Sequence, residues 1–286
     1  MNIVLNEPLS QLSLLFVSAS MGFLAISLLL FSFQLARLSQ DEVDSKFEKV
    51  GFWLLGLSTL ILGIGVVMRG VAANRVPWAN MYEFSITGAL MILSIYLISL
   101  RVKDLRYIAT FVSGFVLVVL FAAVSLFYVE VKTLMPALQS YWLVIHVVVA
   151  IMATGFFAIA AGFHIFYLLK SAGAWQKVLS KFPDLKQLER ISYRFNMVGF
   201  VAWSFTLIAG AIWAERAWHR YWGWDTKEVW TFIIWVLYAG YLHAMATRGW
   251  TGRRAAWLGL IGFAAVIFNF TIVNLFFKGL HVYSGL

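Results

Sequence analysis

The sequence predicts an all-α, polytopic integral membrane protein with about eight transmembrane helices. Two observations carry this expectation. Of the 286 residues, 62% are hydrophobic and only 12% charged, about half the charge of an ordinary soluble domain. Those few charges are bunched, leaving uncharged runs of the roughly 20 residues that an α-helix needs to cross a hydrocarbon core about 30 Å thick. The formal net charge of +9, from 22 Lys and Arg against 13 Asp and Glu, bears on orientation and anionic lipid and gives no reason to invoke nucleic acid. There is no cysteine, which excludes disulfides, thiol relays and iron–sulfur clusters within this chain.

Taken in order, the spans run over about 11 to 37, 51 to 73, 84 to 101, 107 to 128, 141 to 169, 195 to 214, 227 to 247 and 254 to 278, each ended by a charged or turn-rich break. The first ten residues lack Lys and Arg and no small-residue cleavage site follows the first apolar run, so that run is expected to stay as span one. Span three starts at Asn80-Met81-Tyr82-Glu83 and span seven at Asp225-Thr226-Lys227-Glu228; in both a cap residue precedes Glu by three positions, the pattern that satisfies orphan N–H groups at a helix start. Before span six, Pro183-Asp184 and the apolar Leu185, Leu188 and Ile191 predict a short surface helix. Fifteen of the 22 Lys and Arg fall in one set of alternating connections. The positive-inside rule puts that set in the cytoplasm, with both termini and the connections 74 to 83, 129 to 140 and 214 to 227 outside.

Several function classes lack their chemistry. The spans have almost no acidic interior, which disfavours ion-coupled transport, and no phosphate-binding loop or zinc-protease motif is present. A di-haem quinone-linked cytochrome needs paired histidines on facing helices, and only span five has two, His146 and His164.

The segment Trp213 to Trp230 holds five tryptophans in eighteen positions. An interfacial belt accounts for Trp230, Trp235, Trp250 and Trp257, because indoles favour the headgroup region. For Trp213, Trp218, Trp222 and Trp224 the belt stands beside a second reading, an aromatic platform for a large planar ligand such as a porphyrin. Arg216, Arg220 and Lys227 are either solvated interface charges or partners for propionates; Asp225 and Glu228 read first as a capping box.

The five histidines divide by depth. His146 lies five residues inside span five, about 8 Å deep, and His281 follows span eight. Both are expected at the level of the Trp-rich loop, where two imidazoles either ligate one haem iron from opposite faces or serve as packing residues. His243 lies about 24 Å along span seven, toward the cytoplasmic leaflet, where an intramembrane imidazole is functional by default. His164, near the inner end of span five, reads as a snorkelling residue. His219 lies in the Trp loop itself.

The core Trp222-Gly223-Trp224-Asp225-Thr226-Lys227-Glu228-Val229-Trp230 resembles the WWD signature of haem-handling proteins. With Asn80-Met81-Tyr82-Glu83, Ser192-Tyr193-Arg194, Tyr241-Leu242-His243 and Gly279-Leu280-His281, the chain is similar to the CcsA (ResC) family, often labelled CcsB, of the system II cytochrome c synthase. The resemblance runs from residue 77 to the end, dividing the chain into an N-terminal pair of spans, 1 to 76, and a haem-handling cytochrome c assembly domain, 77 to 286, with its WWD loop at 213 to 230. Thr226 stands where the family usually has Pro, and His219 where it commonly has Gly.

This resemblance implies that His146 and His281 are axial ligands to the haem iron and that His243 belongs to a haem entry route. Trp213, Trp218, Trp222, Trp224 and Asp225 are implied to form the platform. It also implies haem b as bound substrate, a ResB-like membrane subunit as partner, and an apocytochrome c whose Cys-X-X-Cys-His thiols add to the haem vinyl groups. The setting would be a bacterial-type cytoplasmic membrane or a thylakoid membrane. The leading expectation is a haem-binding subunit of a cytochrome c synthase that presents haem on the outer face. A haem exporter or carrier serving a separate lyase, and a membrane scaffold that holds no haem, are the alternatives.

Overall fold

A computed structural model describes residues 6–38, 40, 45–132, 139–247, 250–277 and 279–280. The described helices are α1 (Glu7–Leu38), α2 (Ser45–Ala73), α3 (Met81–Val102), α4 (Ala109–Leu126, entered by a 3₁₀ turn at Arg106–Ile108), α5 (Tyr141–Ser171), α6 (Gln176–Leu179), α7 (Leu185–Trp218), α8 (Thr226–Ala246), α9 (Arg253–Phe270) and α10 (Ile272–Phe276). Among the described residues there is no strand, and eight stretches are long and apolar enough to cross a membrane. The protein is all-α and polytopic, as its charge spacing predicts. Many apolar side chains on these spans point outward, among them Leu29, Leu60, Val118 and Ile208, as suits a lipid-facing surface.

Packing groups the chain into two compact units: Met1–Thr133 with Gln176–Phe182 and Gly285–Leu286, and Leu134–Trp175 with Pro183–Ser284. In the first, α1 and α2 pack antiparallel along a stripe of small residues. Ser13, Ser20 and Ser27 recur every seven positions and are fully buried; their hydroxyls donate to the carbonyls of Gly65 (2.7 Å), Ser58 (3.0 Å) and Gly51 (2.9 Å). A Cβ on Gly65 would lie 3.2 Å from Val17 and 3.3 Å from the Ser13 carbonyl. Close approach is thus made by small residues, serine on α1 against glycine or serine on α2, the means by which helices associate where lipid supplies no hydrophobic drive.

At the end of this unit where α2 stops and α3 starts lies a buried ionic knot. Glu83, fully buried, accepts from Arg69 Nε at 3.0 Å and from both terminal nitrogens of Arg75, at 2.6 and 3.0 Å. Its Oε2 also accepts the Ala79 N–H at 2.9 Å. Arg69, likewise fully buried, donates to Ser10 Oγ at 2.9 Å and the Val129 carbonyl at 2.8 Å, and its guanidinium lies 5.1 Å from the Tyr82 ring centre. The Asn80 side chain caps α3 by accepting the Glu83 N–H at 2.8 Å. The first half of the expected capping pattern thus forms, while the Glu83 carboxylate turns to the two arginines. Arg69 is accordingly an interior residue of α2 and not a loop charge.

In the second unit α5 packs on α7 and α9, and α8 packs on α7 and α9, giving a four-helix core. Gly199 and Gly210, about three turns apart on α7, face Phe157 and His146, which are equally spaced on α5; a Cβ at either glycine would fall within 2.9 Å of the facing ring. The Phe157 ring stacks on Tyr238 of α8 with centroids 3.7 Å apart and planes 4° apart. The expected surface helix before span six is continuous with that span: α7 is a single helix of 34 residues capped by Asp184, whose side chain accepts the Gln187 N–H at 2.7 Å. No Pro and no Gly interrupt it before Gly199, so nothing forces a break.

Candidate functional site

At the end of the second unit where α5 starts and α7 stops, His146 and the tryptophans come together. Half-buried His146 sits on the second turn of α5, and its Nδ1 lies 2.9 Å from the Thr206 carbonyl oxygen of α7. A carbonyl only accepts, so Nδ1 carries the proton and the lone pair of the neutral ring falls on Nε2. An Nδ1–H held by a backbone carbonyl is the usual arrangement behind a metal-binding imidazole. Gly210 makes it possible, since a Cβ there would stand 2.8 Å from His146 Cε1. The ring lies nearly parallel to that of buried Trp213, 6.1 Å and 16° apart, and Trp213 meets Trp218 edge to face at 4.8 Å.

The loop between α7 and α8 is folded around Glu228. Glu228 Oε2 accepts the N–H groups of Gly223 at 2.8 Å and Asp225 at 3.1 Å, and Asp225 caps α8 through the Lys227 N–H at 2.9 Å, completing a capping box. A Cβ on Gly223 would fall where the Arg220 guanidinium lies, so a larger residue here displaces the end of that flexible side chain. Trp224 takes a left-handed backbone (φ 60°), which turns its indole outward to 75% exposure, edge to face with half-buried Trp222 at 5.9 Å. Trp222 also meets Phe232 edge to face at 6.4 Å.

The remaining candidates separate. His219 ends α7 in a left-handed conformation (φ 55°, ψ 34°), its N–H donating to the Glu215 carbonyl at 2.7 Å. That is the position where helices commonly end in glycine. His164, read from sequence as snorkelling, is instead buried: its Nε2 lies 2.9 Å from Asn196 Nδ2, it meets Tyr241 edge to face at 5.5 Å, and Gly259 leaves room for it. His243 is in the last turn of α8, at the opposite end of that helix from the Trp loop, and it is exposed. His281 lies outside the described residues. Trp235 is a tie between helices, donating to Ser204 Oγ at 2.8 Å, and Trp230 packs on Phe268 at 4.3 Å.

Of the basic residues, Arg216 lies over Tyr141 at 5.2 Å. Lys227 turns inward to the Asn269 carbonyl and Asn274 Oδ1, both at 2.8 Å. The residues that sequence reasoning missed are Thr206 and Gly210, which set the His146 ring, and Glu228 as the organiser of the loop. The only trace of Gly210 is the run of small residues Ala209-Gly210-Ala211 within an otherwise bulky span.

Comparison with known proteins is consistent across sequence and fold. A family model described as Cytochrome C assembly protein matches residues 78–281. The cytochrome c biogenesis protein CcsA of Guillardia theta is 33% identical over 94% of this chain and 96% of its own length. That of Prochlorococcus marinus is 29% identical over 93% of each chain. Among solved structures, a cytochrome c haem lyase CcmF superposes with a TM-score of 0.70 at 16% identity, covering 92% of this chain; the chain spans 46% of that protein's length. That likeness is one of fold.

Proposed function

The chain belongs to the cytochrome c assembly protein family as a CcsA-type member, and from that premise we propose that it serves cytochrome c maturation by holding haem and presenting it for covalent attachment. The observation that carries this reading is His146. A backbone carbonyl holds its tautomer with the lone pair on Nε2, beside a buried tryptophan ring and next to a loop that turns further indoles outward.

These residues suit haem as substrate. His146 and His281 supply the two axial imidazoles. Trp218, Trp222 and Trp224 offer stacking and edge contacts to the porphyrin face, with Trp213 as the rigid backing behind His146. Exposed His243, on a membrane-spanning helix, is the residue we assign to haem entry. The site lies on the outer face of the membrane, following the alternation of Lys and Arg along the chain. A ResB-like subunit completes the synthase, and the thiols of apocytochrome c add across the haem vinyl groups; this chain, which has no cysteine, orients the reacting edge and supplies an exchangeable imidazole for the incoming substrate histidine.

The test is the oxidised and reduced absorption spectrum of the purified chain with its partner, beside His146→Ala and His281→Ala. Sharp reduced bands that weaken in both variants and recover with added imidazole are the expected result. Identical spectra in all three proteins would end the ligand assignment, and thioether formation on a separate lyase would leave the chain a carrier.

A further inference from the structure

The two residues flanking Thr226 stand where the Trp-rich loop ends and α8 begins, and both reach away from it. Asp225 uses Oδ1 to cap α8 through the Lys227 N–H, and its other oxygen, Oδ2, accepts the N–H of Leu280, 55 positions later, at 2.9 Å. Gly279 permits this approach, since a Cβ there would collide with the carboxylate. Lys227 sends its ammonium to the Asn269 carbonyl and to Asn274 Oδ1, each at 2.8 Å. Those two residues straddle Thr271 (φ −93°, ψ −71°), where α9 gives way to α10, and Asn274 in turn donates to the Phe270 carbonyl at 2.7 Å. The start of α8 therefore grips the chain at the break between α9 and α10 and again at Leu280.

We propose that Asp225 and Lys227 are positioning residues, a clasp that holds Asn269, Asn274 and Leu280 in register with the start of α8, and that haem binding through His281, the residue next in sequence, depends on that hold. Both Asp225 oxygens are engaged with backbone amides. In this reading the carboxylate acts through the tail it holds. A charged acceptor gives each amide bond more strength than a neutral one would, and Lys227 Nζ donates to the Asn269 carbonyl in the last turn of α9, one of the carbonyls a helix end leaves without an intrahelical partner. The part of this inference that concerns His281 rests on reading it as a haem ligand; the clasp itself does not.

The experiment uses the full chain with its partner and two readouts. The first is the reduced haem spectrum, with and without imidazole, of Asp225→Ala, Lys227→Met, His281→Ala and the double variant Asp225→Ala/His281→Ala. The second is the rate of thiol labelling of Leu280→Cys, a unique cysteine in a chain that has none and one that keeps the backbone N–H in question. The expected result is that Asp225→Ala loses haem as His281→Ala does, recovers with imidazole, and adds nothing to the double variant. Labelling at position 280 rises several-fold in Asp225→Ala and in Lys227→Met, and Asp225→Asn, which keeps an acceptor oxygen, falls between. Haem loss in Asp225→Ala that imidazole does not restore and that adds to His281→Ala overturns the proposal in favour of direct haem contact. Unchanged labelling overturns the clasp. Raised labelling alongside an unaltered His281→Ala spectrum keeps the clasp and removes the ligand reading. Should Asp225→Ala fail to fold, Asp225→Asn and Lys227→Met give the same contrasts.

Discussion

The starts of α3 and α8 carry the same short code, a cap residue followed three positions later by Glu, and become opposite things. At α3, Asn80 caps alone, and Glu83 is drawn off by Arg69 and Arg75 into a closed knot in which both carboxylate oxygens and both guanidiniums are engaged. At α8, Glu228 completes the box and folds the preceding loop, which frees Asp225 and Lys227 to hold distant chain. The difference lies in the neighbouring cations: two guanidiniums on one buried carboxylate outcompete a single backbone N–H. One corner is a lock and the other a mount. A capping signature therefore specifies that a helix begins, and its surroundings decide what else the carboxylate does.

This contrast can be broken or sharpened by measurement. The largest effect is expected from Glu83→Gln, which leaves buried Arg69 and half-buried Arg75 without a counter-charge and should cost about 3 to 5 kcal/mol, read as a lowered unfolding midpoint in detergent; an unmoved midpoint would mean that the knot locks nothing. Next comes Gly210→Ala. The new Cβ pushes the His146 ring off the Thr206 carbonyl, and haem retention should fall about tenfold, the lower end of what outer-shell changes cost, while stability stays near wild type. Full retention would show that this notch does not set the ring. Glu228→Gln keeps an acceptor for the Gly223 and Asp225 amides and should cost about 1 kcal/mol; a loss as large as that of Glu83→Gln would erase the distinction between the corners. The smallest effect is a gain. His219→Gly relieves a left-handed backbone at the expense of a freer unfolded chain, for a net of about 0.5 kcal/mol, and the haem spectrum should not change. A weakened spectrum would make His219 a ligand.

Span number and helix starts were legible because charge and capping are local signals. Eight spans and both cap residues follow from windows of a few to twenty residues. What depends on pairs distant in sequence was not. Arg69 and Glu83 look like ordinary flanking charges until α2 and α3 are placed side by side, and Lys227 looks like a propionate partner until α9 is placed beside α8. The same blindness misjudged His164, whose depth near a span end suggested snorkelling; its burial comes from Gly259 and Asn196, two other helices' residues. The candidate site was legible by residue type, since Trp and His are conspicuous in a loop, and illegible in its supports, Thr206 and Gly210, which contribute a carbonyl and an absence of side chain.

The length of α7 sets a mechanical condition on all of this. Its 34 residues extend about 51 Å, against a hydrocarbon core of about 30 Å, and its partner α5 has 31 residues. A pair of helices this long, bolted together through Gly199 and Gly210, is a stiff post whose ends stand clear of the acyl chains. Changes in bilayer thickness must then be taken up by tilt and by the surrounding lipid. The spacing between His146 and the far end of the post is fixed by the protein and travels unchanged from a thin membrane to a thick one.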